Sequence, residues 1–269
     1  MMFEALTGYP VEDVQDCMAF FGLSEIEVRQ RMGETWHRVA RLWREANPQT
    51  EAERQAWYAT TDAHIFEGLA WHAQLEQRRF REAIAARCTG TVLDWGAGVG
   101  TEGLLALRCG CSVVFVEWGL IRDFLVTRVE RVLTELCNTV ITGEYHANGA
   151  TVRSYTVGPI HSWIAPPDEA MIFLNAWTSG ELSFPGDPPF DTIICLDVLE
   201  HLDDPEAVLA DFRRWLKPDG LFIGSAPFDD LQYDGHLPQH QGKRLTQLCE
   251  QAGLMNYWID PIRPGEVSC

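Results

Sequence analysis

The sequence predicts an α/β fold: a doubly wound, mostly parallel sheet of six to seven strands, with an N-terminal all-helical extension. From residue 91 onward, short apolar and β-branched runs alternate with stretches of helical periodicity, which is the pattern of repeated β-α units. Before residue 89 the periodicity is helical throughout. We therefore divide the chain into a helical segment, 1–88, and an α/β domain, 89–269, with an insertion at about 138–169.

Composition limits the function classes. The 269 residues are 46% hydrophobic, enough for a core, and no apolar run is long enough to cross a membrane. The acidic N-terminus lacks the apolar stretch of a signal peptide, so we expect a cytoplasmic protein without a membrane partner. A net charge of −18 disfavours binding to a phosphate backbone and therefore nucleic acid. The eight cysteines contain no C-x-x-C pair, so we expect reduced thiols and no metal site.

Four helices are predicted in the helical segment. Two of them begin with a capping-box pattern, in which a Ser or Thr precedes a Glu by three residues. The predicted helices are Pro10–Phe21 (stopped by Gly22), one from Ser24 to Glu45, one starting at Thr50, and one from Asp62, as its cap, through Arg87.

A glycine-rich turn follows the first predicted strand, Thr91–Leu93. Asp94 stands at the end of that strand, and Gly96, Gly98 and Gly100 alternate before a helix over 101–108. Such a turn lets the backbone approach a nucleotide-like ligand closely. Residues 98–103 also match the dinucleotide fingerprint G-x-G-x-x-G, but a carboxylate at the strand end would repel a pyrophosphate and attract a cationic group.

The rest of the domain continues the same alternation. Glu117 ends the second strand about 20 residues after the glycines, where a carboxylate can accept hydrogen bonds from ribose hydroxyls, and Trp118 could stack on a base. The other predicted elements are a second strand at 111–116, a helix at 121–136, a hairpin within 145–157, strands at 170–174, 191–197, 221–226 and 254–259, helices at 206–216 and 243–252, a turn at 217–220 and a loop at 227–241.

Three motifs in order resemble the class I S-adenosylmethionine-dependent methyltransferases, the Rossmann-like methyltransferase superfamily. They are Asp94-x-Gly96-x-Gly98-x-Gly100, the stretch from Phe190-Asp191 through Asp197-Val198-Leu199-Glu200-His201-Leu202, and Leu216-Lys217-Pro218-Asp219-Gly220-Leu221. The resemblance covers about residues 90–260. It implies S-adenosyl-L-methionine as cofactor, S-adenosyl-L-homocysteine as product, and in-line methyl transfer to a small-molecule acceptor.

The resemblance also implies site residues. The expected cofactor-binding residues are Asp94, Gly96, Ala97, Gly98, Thr101, Glu117, Trp118, Asn175, Ala176, Leu196 and Asp197. The helical segment would lie over the cofactor as a lid, and the expected acceptor contacts are Tyr58, His64, Trp71, His72 and His240.

A general base is needed only if the acceptor must lose a proton. His201 and His236 are the candidates. The pair Glu200-His201 also resembles a divalent-metal pair of some members of the superfamily, although no metal is predicted here. A non-catalytic cofactor-binding protein with this fold and an NAD-dependent oxidoreductase remain alternatives. Methylation at oxygen, nitrogen or carbon, and the oligomeric state, stay open.

Overall fold

The computed structural model describes residues 8–136, 140–147, 150–157, 169–175, 190–225, 243–254 and 257–258. The helices in these ranges are α1 Val11–Phe21, α2 Glu25–Ala46, α3 Glu51–Thr60, α4 Ala63–His72, α5 Leu75–Ala85, α6 Thr101–Arg108, α7 Gly119–Leu136, α8 Pro205–Trp215 and α9 Lys243–Gln251. The strands are β1 Thr91–Trp95, β2 Ser112–Glu117, β3 Val140–Ala147, β4 Ala150–Val157, β5 Glu169–Asn175, β6 Phe190–Leu196, β7 Leu216–Ser225 and β8 Tyr257–Trp258.

The strands form one sheet in the order β3-β4-β5-β2-β1-β6-β7-β8. The six strands β5-β2-β1-β6-β7-β8 all run parallel to their neighbours, so the predicted mostly parallel α/β sheet is confirmed. The described residues hold eight strands instead of the predicted six to seven. The difference arises because β3 and β4, from the predicted insertion, form an antiparallel hairpin that pairs with the edge of β5.

The central strands are buried on both faces, as their nearly continuous apolar composition predicts. Leu93 and Ile193 face a cluster that includes Phe212 and Trp215 of α8. Val92 and Ile194 point to the opposite face, into a cluster that includes residues of α5, α6 and α7. The alternation along β1 and β6 therefore places helices on both sides of the sheet, the doubly wound arrangement.

The capping boxes of the helical segment are present as predicted. Ser24 and Thr50 each accept a hydrogen bond from the backbone N–H three residues on, and the glutamates there bond back. Helix α1 ends at Gly22, whose φ of 66° is left-handed. Asp62 does not cap α4; its carboxylate pairs instead with the guanidinium groups of Arg31 and Arg38 on α2.

The predicted single helix from Asp62 through Arg87 is wrong. It is broken after His72, because Gln74 adopts an extended conformation with ψ of 138°. The two halves bury their apolar faces in different places: α4 packs Phe66 and Leu69 into a core of the helical segment, whereas α5 packs Ile84 against the sheet. A straight helix could not present both faces.

Two smaller corrections concern strand ends. Strand β1 continues through Asp94 to Trp95, so Asp94 lies within the strand. The predicted turn at 217–220 lies inside β7, where the register with β6 shifts between Phe190 and Thr192. An irregularity of this kind absorbs extra residues without ending the strand.

Within the described ranges, no helix combines the length and apolar content that a membrane span requires. Of the described cysteines, Cys109 is exposed and the others, Cys17, Cys88, Cys111, Cys195 and Cys249, are buried free thiols.

Candidate active site

The loop between β1 and α6 is built on three left-handed glycines. Gly96, Gly98 and Gly100 have φ of 65°, 55° and 75°, a region that side chains disfavour. A Cβ at Gly96 would collide with Val198, and one at Gly100 with Leu125. A Cβ at Gly98 would meet no described atom within 4 Å. The middle glycine therefore borders open space, on the side where a ligand can approach the backbone.

Backbone hydrogen bonds anchor this loop to β2 and to itself. The N–H groups of Gly96 and Ala97 donate to the Val116 carbonyl at 2.9 and 3.1 Å. The N–H of Gly100 donates to the Ala97 carbonyl at 2.7 Å. These three backbone hydrogen bonds fix the conformation of the loop.

Asp94 lies under the first turn of α6. Its side chain is buried, and Oδ2 accepts a hydrogen bond from the N–H of Gly103 at 3.0 Å. Burial raises the pKa of this carboxyl to about 7, although the Gly103 hydrogen bond opposes the shift. A Cβ at Gly103 would collide with Asp94 and Phe115. The last glycine of the apparent dinucleotide fingerprint therefore serves close packing between helix and strand.

Glu117 stands at the end of β2, beside the glycine loop. Its Oε1 accepts the N–H of Trp118 at 2.8 Å, and Oε2 accepts the N–H of Gly98 at 2.5 Å. Burial raises the pKa of Glu117 to about 7 against these two hydrogen bonds. The indole Nε1 of Trp118 is buried and has no hydrogen-bond partner among the described residues. Such a buried donor is costly unless a ligand or water satisfies it.

The helical segment contacts the start of α6, directly after the loop, through His72 and Arg81. His72 Nδ1 lies 2.7 Å from Thr101 Oγ1, and burial lowers the pKa of His72 well below its usual value, so its imidazole is neutral. Arg81 forms a buried ion pair with Glu102 of α6. Burial lowers the pKa of Arg81 to about 10, and the charges of Asp197 and Asp94 oppose that shift.

Tyr58 and His201 bring the helical segment to the end of β6. The Tyr58 hydroxyl lies 3.2 Å from His201 Nδ1. The Tyr58 ring stacks on His64, with centroids 4.7 Å apart, and His64 Nδ1 lies 2.9 Å from Glu67 Oε2. Burial, reinforced by the carboxylates of Glu67 and Glu200, raises the pKa of Tyr58 far above its usual value. Tyr58 is therefore a protonated phenol at physiological pH.

Glu200 is fully buried beside His201, in a short 3-10 turn that spans Leu199–His201. Neither carboxyl oxygen has a side-chain partner among the described residues, and only its own backbone N–H favours the charged form. Burial, with the nearby charge of Asp197, raises the pKa of Glu200 well above its usual value. In the part of the chain that is described, no group of three His, Cys, Asp or Glu side chains is arranged to hold a metal ion.

The remaining predicted site residues are distributed as follows. Leu196 ends β6, and Asp197 follows with φ of 54°; its carboxylate accepts a hydrogen bond from Ser225 Oγ at 2.8 Å. Asn175 ends β5 in register with Glu117. Trp71 contacts Trp36 edge to face within the helical segment, with centroids 5.6 Å apart. Ala176, His236 and His240 lie outside the described residues.

Several charged residues at this edge were not among the predicted ones. Arg54 of α3 pairs with Asp203 at 2.5 Å, which ties the helical segment to the chain just after His201. Arg128 of α7 donates to the Val99 carbonyl in the glycine loop at 2.6 Å. No sequence pattern marks these partners, because more than a hundred residues separate Arg54 from Asp203. Only the folded chain brings them together.

Comparison with known proteins identifies the family. A family model described as a methyltransferase domain matches residues 36–259, which is most of the chain. The chain belongs to this methyltransferase-domain family, and its prediction as a class I methyltransferase with S-adenosylmethionine as cofactor is confirmed. No curated protein sequence matches the chain.

Solved structures share the fold at low sequence identity. An O-methyltransferase family protein from Burkholderia thailandensis aligns with a TM-score of 0.52 and 15% identity, over 85% of this chain and 65% of that one. Phosphoethanolamine N-methyltransferase 2 from Haemonchus contortus, in complex with S-adenosyl-L-methionine, aligns with a TM-score of 0.50 and 15% identity, over 74% of this chain and 44% of that one. This chain therefore spans less than two thirds of either protein.

Proposed function

We propose that this chain transfers a methyl group from S-adenosylmethionine to a small-molecule acceptor held between the helical segment and the carboxyl edge of the sheet. The observation that carries the proposal is the contact between Tyr58 and His201. It joins the helical segment to the end of β6, and the parallel strands β1 and β2 end at the same edge of the sheet. The net charge of −18 favours a small molecule over nucleic acid as acceptor.

The residues present fit the cofactor. Open space at Gly98 leaves room for a ligand against the backbone. Glu117 already holds the Gly98 N–H, and its remaining lone pairs can accept ribose hydroxyls. The buried, unsatisfied Nε1 of Trp118 is a donor that a ligand acceptor would satisfy. Asp94 places a carboxyl near the loop whose negative form favours the cationic methionine end of the ligand.

S-adenosylmethionine supplies a methyl group that is already activated on a sulfonium. The chain therefore has to position the acceptor, exclude water and remove a proton where the acceptor carries one. If His201 Nδ1 carries the ring proton and donates it to the Tyr58 oxygen, then Nε2 presents a lone pair and can accept the acceptor's proton. In that tautomer, His201 can act as a base while it stays hydrogen-bonded to Tyr58.

Tyr58, His64 and Trp57 provide the acceptor side of the site. The three rings are mutually in contact, at centroid distances between 4.7 and 5.2 Å. Aromatic faces suit a partly apolar molecule, and the buried Nε2 of His64, which has no partner among the described residues, adds one polar contact. Trp71, His72 and His240 remain candidates for further contacts, and His236 remains the alternative base.

Calorimetric titration of the full chain with S-adenosylmethionine, S-adenosylhomocysteine and NAD tests the cofactor assignment. Micromolar binding of the first two, without binding of NAD, is expected. Binding of NAD alone would overturn the proposal in favour of an oxidoreductase.

Release of S-adenosylhomocysteine in the presence of a panel of small hydroxyl, amine and activated-carbon acceptors then tests turnover. The variant Tyr58→Phe keeps the stacking on His64 and removes only the hydroxyl, so it isolates the contact with His201. We expect slower turnover with unchanged cofactor affinity. Cofactor binding without turnover on any acceptor class would support the non-catalytic alternative.

A further inference from the structure

Arg128 links helix α1 to the glycine loop. Its guanidinium is buried and donates to three partners: Nη1 to the Val99 carbonyl at 2.6 Å, Nε to Asp16 Oδ2 at 3.1 Å, and Nη2 to Asp13 Oδ1. Asp13 and Asp16 lie on α1, whereas Arg128 lies on α7. One side chain therefore couples the first helix of the chain to the backbone that faces the cofactor.

The bond to the Val99 carbonyl restrains the loop at its centre. The N–H of the same peptide unit, which belongs to Gly100, donates a hydrogen bond to the Ala97 carbonyl at 2.7 Å. Because a peptide unit is planar, holding both its C=O and its N–H fixes the direction of the chain between Gly98 and Thr101. Gly98 and Gly100 flank Val99, so their backbone torsions would otherwise be the freest in the loop.

The side chain of Val99 is held from the same direction. It is buried among apolar residues of the helical segment and α7, including Val14 of α1, Leu69 of α4 and Phe124 of α7. Its methyl groups also lie at contact distance from the position that a Cβ on Gly68 would take. The helical segment is thus part of the scaffold under the loop as well as a cover over the site.

The aspartates balance the charge that this arrangement buries. Arg131 donates to both oxygens of Asp16, at 2.6 and 3.0 Å, so two guanidinium groups face two aspartates. The neighbouring guanidinium of Arg128 opposes the rise that burial causes in the pKa of Asp13. A buried guanidinium without its carboxylates would be strongly unfavourable, so the aspartates hold Arg128 in the orientation that reaches Val99.

We propose that Arg128 is a positioning residue for the glycine loop and that Asp13 and Asp16 of α1 hold it in place. Helix α1 precedes residues 36–259, which match the methyltransferase-domain family. A segment outside the matched region would then set the affinity for S-adenosylmethionine; this consequence rests on the proposed function. The restraint on the loop itself does not depend on the ligand.

The test compares Arg128→Lys with Arg131→Lys. Both residues lie on α7 and both bond Asp16, but only Arg128 touches the glycine loop. Lysine keeps the charge and loses the planar fork that serves three partners at once. Hydrogen–deuterium exchange of the ligand-free proteins follows the Gly100 amide, calorimetry measures the dissociation constant of S-adenosylmethionine, and circular dichroism gives Tm.

We expect Arg128→Lys to speed exchange at Gly100 and to raise the dissociation constant, each at least about tenfold, or about 1.4 kcal/mol. Arg131→Lys should change both by less than about twofold at a temperature where each variant is folded. Asp13→Asn, which keeps the side-chain shape and removes one carboxylate of Arg128, should fall between the two. If Arg128→Lys does not fold, the comparison of Asp13→Asn with the wild type replaces it as the test.

Wild-type exchange at Gly100 in Arg128→Lys or in Asp13→Asn would overturn the inference, as would equal effects of the Arg128 and Arg131 variants. Faster exchange with unchanged affinity would also overturn it, because the loop would then move without consequence for the ligand. If the wild-type chain does not bind S-adenosylmethionine, the proposed function fails. The exchange comparison then decides alone whether Arg128 positions the loop.

Discussion

Replacing Gly98 by alanine places a methyl group in the open space beside the glycine loop. Gly98 has φ of 55°, and an added Cβ would meet no described atom within 4 Å. Gly22, at the end of α1, offers a matched control, because its φ is 66° and an added Cβ there also meets nothing. The two substitutions impose the same backbone strain, and only one lies at the proposed cofactor site.

The expected magnitudes follow from this comparison. A residue with a Cβ in the left-handed region costs about 1–2 kcal/mol, so each variant should lose a similar free energy of unfolding and a few degrees in Tm. A methyl group inserted into an occupied contact costs about 1–3 kcal/mol. Binding of S-adenosylmethionine to Gly98→Ala should therefore weaken between about 5-fold and 150-fold, with no change in Gly22→Ala.

Calorimetry and thermal unfolding of the two variants beside the wild type measure these quantities. Gly98→Val, with a larger side chain at the same position, should abolish cofactor binding. The Gly98 N–H bond to Glu117 survives both substitutions, so a loss of affinity reports the added carbon atoms. If Gly98→Ala binds as tightly as the wild type while Tm falls as in Gly22→Ala, no ligand covers this glycine and the assignment of the loop is refuted.

Four further predictions concern the titratable groups of the site. Asp94→Asn keeps an oxygen for the Gly103 N–H and removes the negative charge, so calorimetry should show weakened or absent cofactor binding; Asp94→Ala should do the same, and unchanged affinity would contradict a role for that charge. Burial raises the pKa of Asp94 and Glu117 to about 7, and the ligand favours both carboxylates. Binding should therefore release protons, and affinity should rise between about pH 6 and 8, by up to about tenfold per group for each unit below its pKa; titrations in buffers of different ionisation enthalpy measure the release, and a flat profile would contradict the assignment. Without ligand the same raised pKa values act in the opposite sense: the stability they contribute is present at acid pH and is lost progressively as pH rises from about 4 through about 7, which urea unfolding between about pH 4 and 8 measures. His201→Ala should lower turnover and leave cofactor affinity unchanged if His201 is the base, whereas equal loss of both would assign it a structural role.

The sheet is the part of the fold that local pattern predicts best. Strands β1 and β6 are short, nearly continuous apolar runs, and β2 and β5, which follow β1 toward one edge of the sheet, share that pattern. The position of the hairpin β3–β4 was harder to predict from the sequence, because whether the hairpin joins the sheet depends on its pairing with β5. Strand pairing is a contact between distant residues, which periodicity does not encode.

The broken helix at Ala73 and Gln74 shows the same limit in the helical segment. Helical propensity is high on both sides of the break, and neither glycine nor proline stands at the break itself. The chain turns there because α4 and α5 must bury their faces against different partners. Tertiary packing overrides propensity when the two compete.

For the site, the residues that sequence alone identifies are those whose roles are local. Asp94 lies near the end of β1, just before the alternating glycines, and Glu117 ends β2, so their meeting at one edge follows from parallel pairing. The partnership of Tyr58 with His201 was not predictable, although both were candidates. The contact requires α3 to lie near the end of β6, and the two residues are 143 positions apart in the sequence.

The sequence by itself determined the α/β class, the glycine loop and the acidic residue that ends β2, because each depends on neighbours within a few residues and on the two-residue and 3.6-residue periods of backbone structure. The tertiary structure decided how the helical segment meets that loop. Arg128, Asp13 and Asp16 look like ordinary surface charges in the sequence, and only folding encloses them beneath Val99. Burial turns charges that water would screen into restraints on the loop.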